Sequence, residues 1–100
     1  MKIGVFDSGV GGLAVVNAIQ KAMPEIEILY LDDKEHLPYG NKTAEQLLGF
    51  VEPILNKMVA QGCQVIVIAC NTVTTTIIEQ LRQVIKVPLV GIEPMVKPAA

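Results

Sequence analysis

Four short apolar runs recur along this chain, and each gap between them carries a helical pattern. The runs are Lys2-Ile3-Gly4-Val5-Phe6, Ile26 to Leu31, Val65 to Ala69 and Val87 to Ile92. Short runs rich in Val and Ile, bounded by turn residues, are the pattern of buried strands. Gly4 weakens the first run and Pro88 sits near the start of the last. Leu13 to Met23 reads as a helix, with Val15, Val16 and Ile19 on its apolar side and a stop at Pro24. A second helix starts at the capping-box pair Thr43 and Gln46 and carries Leu47, Val51, Ile54 and Met58. Pro53 should bend it, and Gly62 fits a C-terminal cap. Thr72 to Ile85 reads as one third helix, weak in its first turns because of Thr74, Thr75 and Thr76. Strands that alternate with helices imply crossover connections. The expected fold class is therefore α/β, a parallel sheet of about four strands with helices on both faces.

One hundred residues make one domain, and 51% of them are hydrophobic, with a mean hydropathy of +0.46. That is apolar for a small domain, which has a large surface to cover. No apolar run approaches the roughly 20 residues of a membrane span. Asp7 interrupts the first apolar stretch after four residues, so no secretory signal is expected. The excess apolarity points to a surface covered by something else, either a second copy or the rest of a longer chain. The net charge of −2 and the scattered lysines leave no basic footprint for nucleic acid. Cys63 and Cys70 lie seven apart across a strand, too few and too distant for a disulfide framework or a zinc site. No metal or cofactor is expected, and the expected compartment is the reducing cytoplasm.

Parallel α/β sheets carry their sites at the C-terminal ends of the strands. At those ends stand Asp7-Ser8-Gly9, then Asp32, Asp33 and Pro38-Tyr39-Gly40, then Cys70-Asn71-Thr72, then Glu93-Pro94. Cys70 ends a buried strand at the start of a helix, where the macrodipole favours a thiolate. It is a candidate base or nucleophile, set against the plainer role of a small core residue. Asp7 and the glycines after it suit an ammonium group, an anion or a thiol proton, or else a tight helix-capping turn. Asn71 and Thr72 either hold a substrate or cap the third helix. His36 is expected to be a solvated loop residue, and Cys63 a packing residue. Gly9-x-Gly11-x-x-Ala14 followed by Asp32 and Asp33 also matches a dinucleotide-binding fingerprint, so a binding module stays open as an alternative.

Ile3-Gly4-Val5-Phe6-Asp7-Ser8-Gly9-Val10-Gly11-Gly12-Leu13, Pro38-Tyr39-Gly40-Asn41-Lys42 and Ala69-Cys70-Asn71-Thr72 together resemble the N-terminal part of glutamate racemase. Val90-Gly91-Ile92-Glu93-Pro94 with Lys97-Pro98-Ala99-Ala100 is also similar to that family. The resemblance implies a cofactor-independent racemase acting on L- and D-glutamate, with D-glutamate going to peptidoglycan. Aspartate racemase is the nearest alternative. It implies two cysteines on opposite faces of the substrate, with Cys70 as one and Asp7 assisting proton transfer. Asp7, Ser8, Tyr39, Gly40, Asn71 and Thr72 would contact the substrate. The family's second cysteine lies in a later Cys-Thr-His motif that these 100 residues do not contain. Residues 1–100 are thus expected to be the N-terminal α/β part, half of a pseudo-symmetric two-domain fold. The expected partner is the missing half or a homo-oligomer. The charged loop Asp33-Lys34-Glu35-His36 and the run Val73-Thr74-Thr75-Thr76 depart from the family's usual pattern.

Overall fold

The computed structural model describes residues 1–8 and 12–92. Gly9, Val10, Gly11, Glu93, Pro94 and the segment Lys97-Pro98-Ala99-Ala100 lie outside the described residues. The order is β1 (Lys2–Asp7), α1 (Gly12–Ala22), β2 (Glu27–Asp32), two 3-10 turns (Lys34–His36 and Tyr39–Asn41), α2 (Ala44–Ala60), β3 (Val65–Ile68), α3 (Asn71–Thr76), α4 (Ile78–Val84) and β4 (Leu89–Gly91). The strands form one parallel sheet in the order β2-β1-β3-β4.

Alternation along the strands divides the core into two layers. Phe6, Ile66, Ile68 and Leu89 face α2, α3 and α4, against Leu47, Val51, Leu55, Met58 and Leu81. Ile3, Val5 and Val67 face the other way, against Val15, Val16 and Ile19 of α1. Helices therefore cover both faces. The four buried side chains of α2 recur at helical spacing, and each contributes about 1.5–3 kcal/mol by leaving water. Gly4 is explained by this packing. A Cβ there would come within 3.1 Å of both Cys63 Sγ and Met58 Sδ. Cys63 is buried in the same layer, as a packing residue should be.

The start of α2 carries the full capping box. Thr43 Oγ1 accepts from the Gln46 N–H at 3.1 Å, and Gln46 Oε1 accepts from the Thr43 N–H at 2.9 Å. Its end is marked by Gly62 at φ +96°, a conformation that favours glycine. Pro53 lies inside α2, which runs on as one element from Ala44 to Ala60.

The third helix is not continuous. It breaks at Ile77 (φ −130°, ψ 4°), which separates α3 from α4. Thr75 Oγ1 donates to the Asn71 carbonyl at 3.0 Å, and Thr74 Oγ1 to the Ile68 carbonyl at 3.4 Å. Such hydroxyls compete with backbone donors, and β-branched residues resist helix. The break also lets the consecutive Ile77 and Ile78 both bury. In an unbroken helix, neighbours point about 100° apart.

The α1 face is only half covered. An open apolar groove of about 440 Å³ runs between α1 and the β3–β4 edge, lined by Ala14, Ala18, Met23, Val67, Val90 and Ile92. Leu13 is 64% exposed and Val90 47%. Among the described residues, no helix is long and apolar enough to cross a membrane.

Candidate active site

The chain leaves β1 toward β2 on one side and then crosses to β3 on the other. The direction of winding therefore switches between β1 and β3, and ligands of such sheets bind at that switch, beyond the C-terminal strand ends. The register says which residues stand there. Phe6 pairs with Ile68, so Ser8 and Cys70, each two positions on, come to the same level. The Cys70 thiol donates to Ser8 Oγ at 3.4 Å. Cys70 is 4% exposed.

Asp7 ends β1 beside this pair and is buried to 1% exposure. Its Oδ2 accepts from the Gly12 N–H at 2.9 Å, which ties the strand end to the start of α1. Its Oδ1 is buried and has no hydrogen-bond partner among the described residues. Gly12 is glycine for want of space. A Cβ there would lie 2.6 Å from Tyr30 Cε1 and 2.7 Å from Asp7 Cβ. Tyr30 sits by Asp7 and Asp32, and its hydroxyl pKa is raised, first by burial, then by those two charges and by hydrogen bonding to both carboxylates.

The loop after β2 closes the site from the side. The Asp33 N–H donates to the Asp7 carbonyl at 3.1 Å. The Asp33 carboxylate turns inward and is 6% exposed. It accepts the Tyr39 hydroxyl at 2.6 Å, and His36 Nδ1 lies 2.9 Å from each of its oxygens. The His36 ring stacks on Phe50 of α2, with centroids 3.7 Å apart and planes 10° apart. His36 is therefore not the solvated loop residue expected, because Phe50 and Asp33 hold it on two sides. Burial, and then the bond to Asp33, push the Tyr39 hydroxyl pKa far up, and the charges of Cys70 and Asp7 add to this. The Tyr39 hydroxyl is committed to Asp33, so the contact left to offer a ligand here is the backbone of the Tyr39–Asn41 turn. Gly40 stands exposed in it with open space around it.

Asn71 and Thr72 form the first turn of α3. Asn71 is exposed and Thr72 half-buried. They do not cap the helix, because Cys70 itself holds the capping position and no side chain bonds there. Asp33, Glu35 and His36 bring one ligand atom each within 4.8 Å of one another. Of these, Asp33 and His36 are already engaged with each other through Nδ1 and both carboxylate oxygens. That engagement also takes Asp33 away from the ribose-binding role of the dinucleotide fingerprint.

The model of the family described as Asp/Glu/Hydantoin racemase matches residues 3–100. The chain belongs to the Asp/Glu/Hydantoin racemase family. Within it, the chain is 48% identical over 99 residues to a glutamate racemase from Lachnospira eligens, covering 99% of this chain and 37% of that protein. It is 46% identical over 100 residues to one from Campylobacter curvus, covering 100% of this chain and 38% of that protein. Among solved structures, the Escherichia coli glutamate racemase in complex with L-glutamate and the activator UDP-MurNAc-Ala superposes with a TM-score of 0.87. That match has 35% identity over 97% of this chain and 37% of the other. The Aquifex pyrophilus glutamate racemase gives 0.86, at 38% identity over 91% of this chain and 36% of the other. The chain spans little more than a third of the length of these racemases.

Ser8 and Cys70 touch, and Asp7 stands at the end of the strand that leads into Ser8. His36, Tyr30 and Gly12 are not singled out by strand-end reasoning. Asp33 follows Asp32 at a strand end and was legible in position, but its partners were not. Gly12 was legible only as one of several glycines.

Proposed function

We propose that residues 1–100 are the N-terminal α/β part of a longer, two-domain glutamate racemase. The observation that carries this is Cys70 beside Ser8 at the switch point, with the half-partnered Asp7 carboxylate at the end of the strand that leads into Ser8. The named relatives support glutamate as the substrate. In this reading the Cys70 thiolate removes the α-proton of one enantiomer. A second thiol, from the rest of the protein, delivers a proton to the opposite face, so Cys70 ends as thiol and its partner as thiolate. Asp7 Oδ1 accepts a proton or the substrate ammonium. Ser8, Asn71, Thr72 and the backbone of Tyr39-Gly40 hold the substrate polar groups. No cofactor takes part. The reaction supplies D-glutamate for peptidoglycan and runs in the cytoplasm. The open face between α1 and β4 is covered by the remainder of the chain, as the length of the relatives suggests.

The test uses the full-length protein in heavy water with each glutamate enantiomer. Solvent deuterium should enter the α-position, and aspartate should be a poor substrate. Cys70→Ala should lower the rate by about 100-fold or more, the contribution of a positioned base. Full activity in Cys70→Ala would refute the role of Cys70. No exchange with glutamate in the unsubstituted protein would refute the substrate. Self-association of the full-length protein through α1 would instead assign the open face to a second copy.

A further inference from the structure

A chain of contacts runs from α2 to the turn that holds Tyr39 and Gly40. Phe50 supports the His36 ring, His36 holds Asp33, and Asp33 holds Tyr39. His36 is the sole histidine of the chain. A carboxylate only accepts hydrogen bonds, so the close Nδ1 must carry the proton. The stacking fixes the plane of the ring, and with it the direction of that N–H. Asp33 is buried, and a buried carboxylate needs its donors. Its two side-chain donors come from its own loop, His36 from one side and Tyr39 from the other. The second of these anchors the turn that presents Gly40.

We propose that His36 is a positioning residue: through Asp33 it holds the Tyr39–Asn41 turn where that turn meets the substrate beside Cys70. This rests on the racemase reading for its substrate, but the contacts themselves do not. His36 acts at two removes from the reacting atoms. It should therefore influence how well the turn holds substrate, in ground state and transition state alike. Loss of such uniform binding raises KM and leaves kcat in place.

Two substitutions separate the parts of the device. His36→Phe keeps a flat ring over Phe50 and removes the donor. His36→Arg keeps a donor and a planar group that stacks on an aromatic face. In the full-length protein, His36→Phe should raise KM for glutamate about tenfold with kcat within about threefold, as expected for one lost charge-assisted bond. His36→Arg should stay within about threefold of the unsubstituted protein in both constants, by the same reasoning. Tyrosine labelled with carbon-13 at Cζ reports on the same contact without substrate. The Tyr39 resonance, assigned by its loss in Tyr39→Phe, should move in His36→Phe and return toward its original place in His36→Arg. An unchanged KM in His36→Phe, a fall in kcat alone, or a Tyr39 resonance indifferent to His36→Phe would each overturn the proposal. If the unsubstituted protein does not act on glutamate, the substrate reading falls, and the Tyr39 resonance alone decides on His36.

Discussion

Gly12→Ala tests how the Asp7 turn is built. The added Cβ would meet Tyr30 Cε1 at 2.6 Å, Asp7 Cβ at 2.7 Å and Asp7 Oδ2 at 2.9 Å. Carbon atoms in contact sit about 3.5–4.0 Å apart, so the first two approaches are roughly 1 Å too close. Neither neighbour can yield easily. Asp7 pairs with Asp32 in the sheet, and its carboxylate is buried. Tyr30 belongs to β2, opposite Val5. The start of α1 must therefore back away, which stretches the 2.9 Å bond from the Gly12 N–H to Oδ2. Overpacking of this kind costs about 1–3 kcal/mol. Weakening a hydrogen bond to a charged group costs about 1.5–3 kcal/mol when the bond is lost. Alanine returns at most about 1 kcal/mol of helix propensity. The net expectation is a loss of about 2–4 kcal/mol, since the bond weakens rather than vanishes. With a urea slope of about 1.5 kcal/mol per molar, the midpoint falls by roughly 1.3–2.7 M. Gly91→Ala is the control, because its Cβ would meet Thr74 Cγ2 at 2.7 Å and Ile78 Cδ1 at 2.8 Å. Ile78 Cδ1 is a flexible end that can turn aside, and no buried carboxylate bond is stretched, so its cost should be smaller. Urea unfolding of both variants, followed by circular dichroism, makes the comparison. A midpoint for Gly12→Ala equal to the unsubstituted chain, or below it by no more than Gly91→Ala, would refute the account of the turn.

Tyr39→Phe strips one donor from Asp33 and should cost about 1–3 kcal/mol in the same unfolding measurement. The unfolded chain ionises Tyr39 near its ordinary value of 10.0, while the folded chain resists ionisation until far higher pH. This group's contribution is therefore whole below about pH 10 and lost as pH rises above it, and Tyr39→Phe should flatten that alkaline fall. Thr43→Ala removes the capping box of α2 and should cost about 1 kcal/mol. Burial pushes the Cys63 thiol pKa up, with Lys2 pulling partly the other way. Lys2→Met should therefore slow Cys63 alkylation further, as read by mass spectrometry of the labelled site, and an increase would contradict the assignment.

The layers of the fold were legible because each is written in a short pattern. Val65 to Ile68 reads as a strand without context, and the Thr43–Gln46 pair marks the start of α2. The strand-end residues Asp7 and Cys70 followed from the same reading, since topology alone sends them to one edge. The break at Ile77 was not legible. The apolar spacing of Ile77, Leu81 and Ile85 suits one helix, and only packing decides that Ile77 and Ile78 both go inward. The His36 network was hidden for another reason. Residues 33, 36 and 39 do recur every three positions, but their 3-10 turns are too short and polar to stand out from an ordinary loop. The stacking partner Phe50 sits on a different element, where it reads as an ordinary half-buried residue.

Two buried carboxylates stand at neighbouring strand ends, and their surroundings assign them different work. Asp33 has a tyrosine hydroxyl and an imidazole N–H, so both of its oxygens are satisfied from within its loop. A carboxylate so held resists movement and resists a ligand, which suits a structural anchor. Asp7 has one backbone N–H on Oδ2, and its Oδ1 is left without a partner among the described residues. An unpaired buried acceptor costs free energy. A donor that reaches Oδ1 would relieve that cost only while it is there. Under the proposed racemase reading, the open Oδ1 fits Asp7 to meet a ligand, whereas Asp33 is held by its own loop.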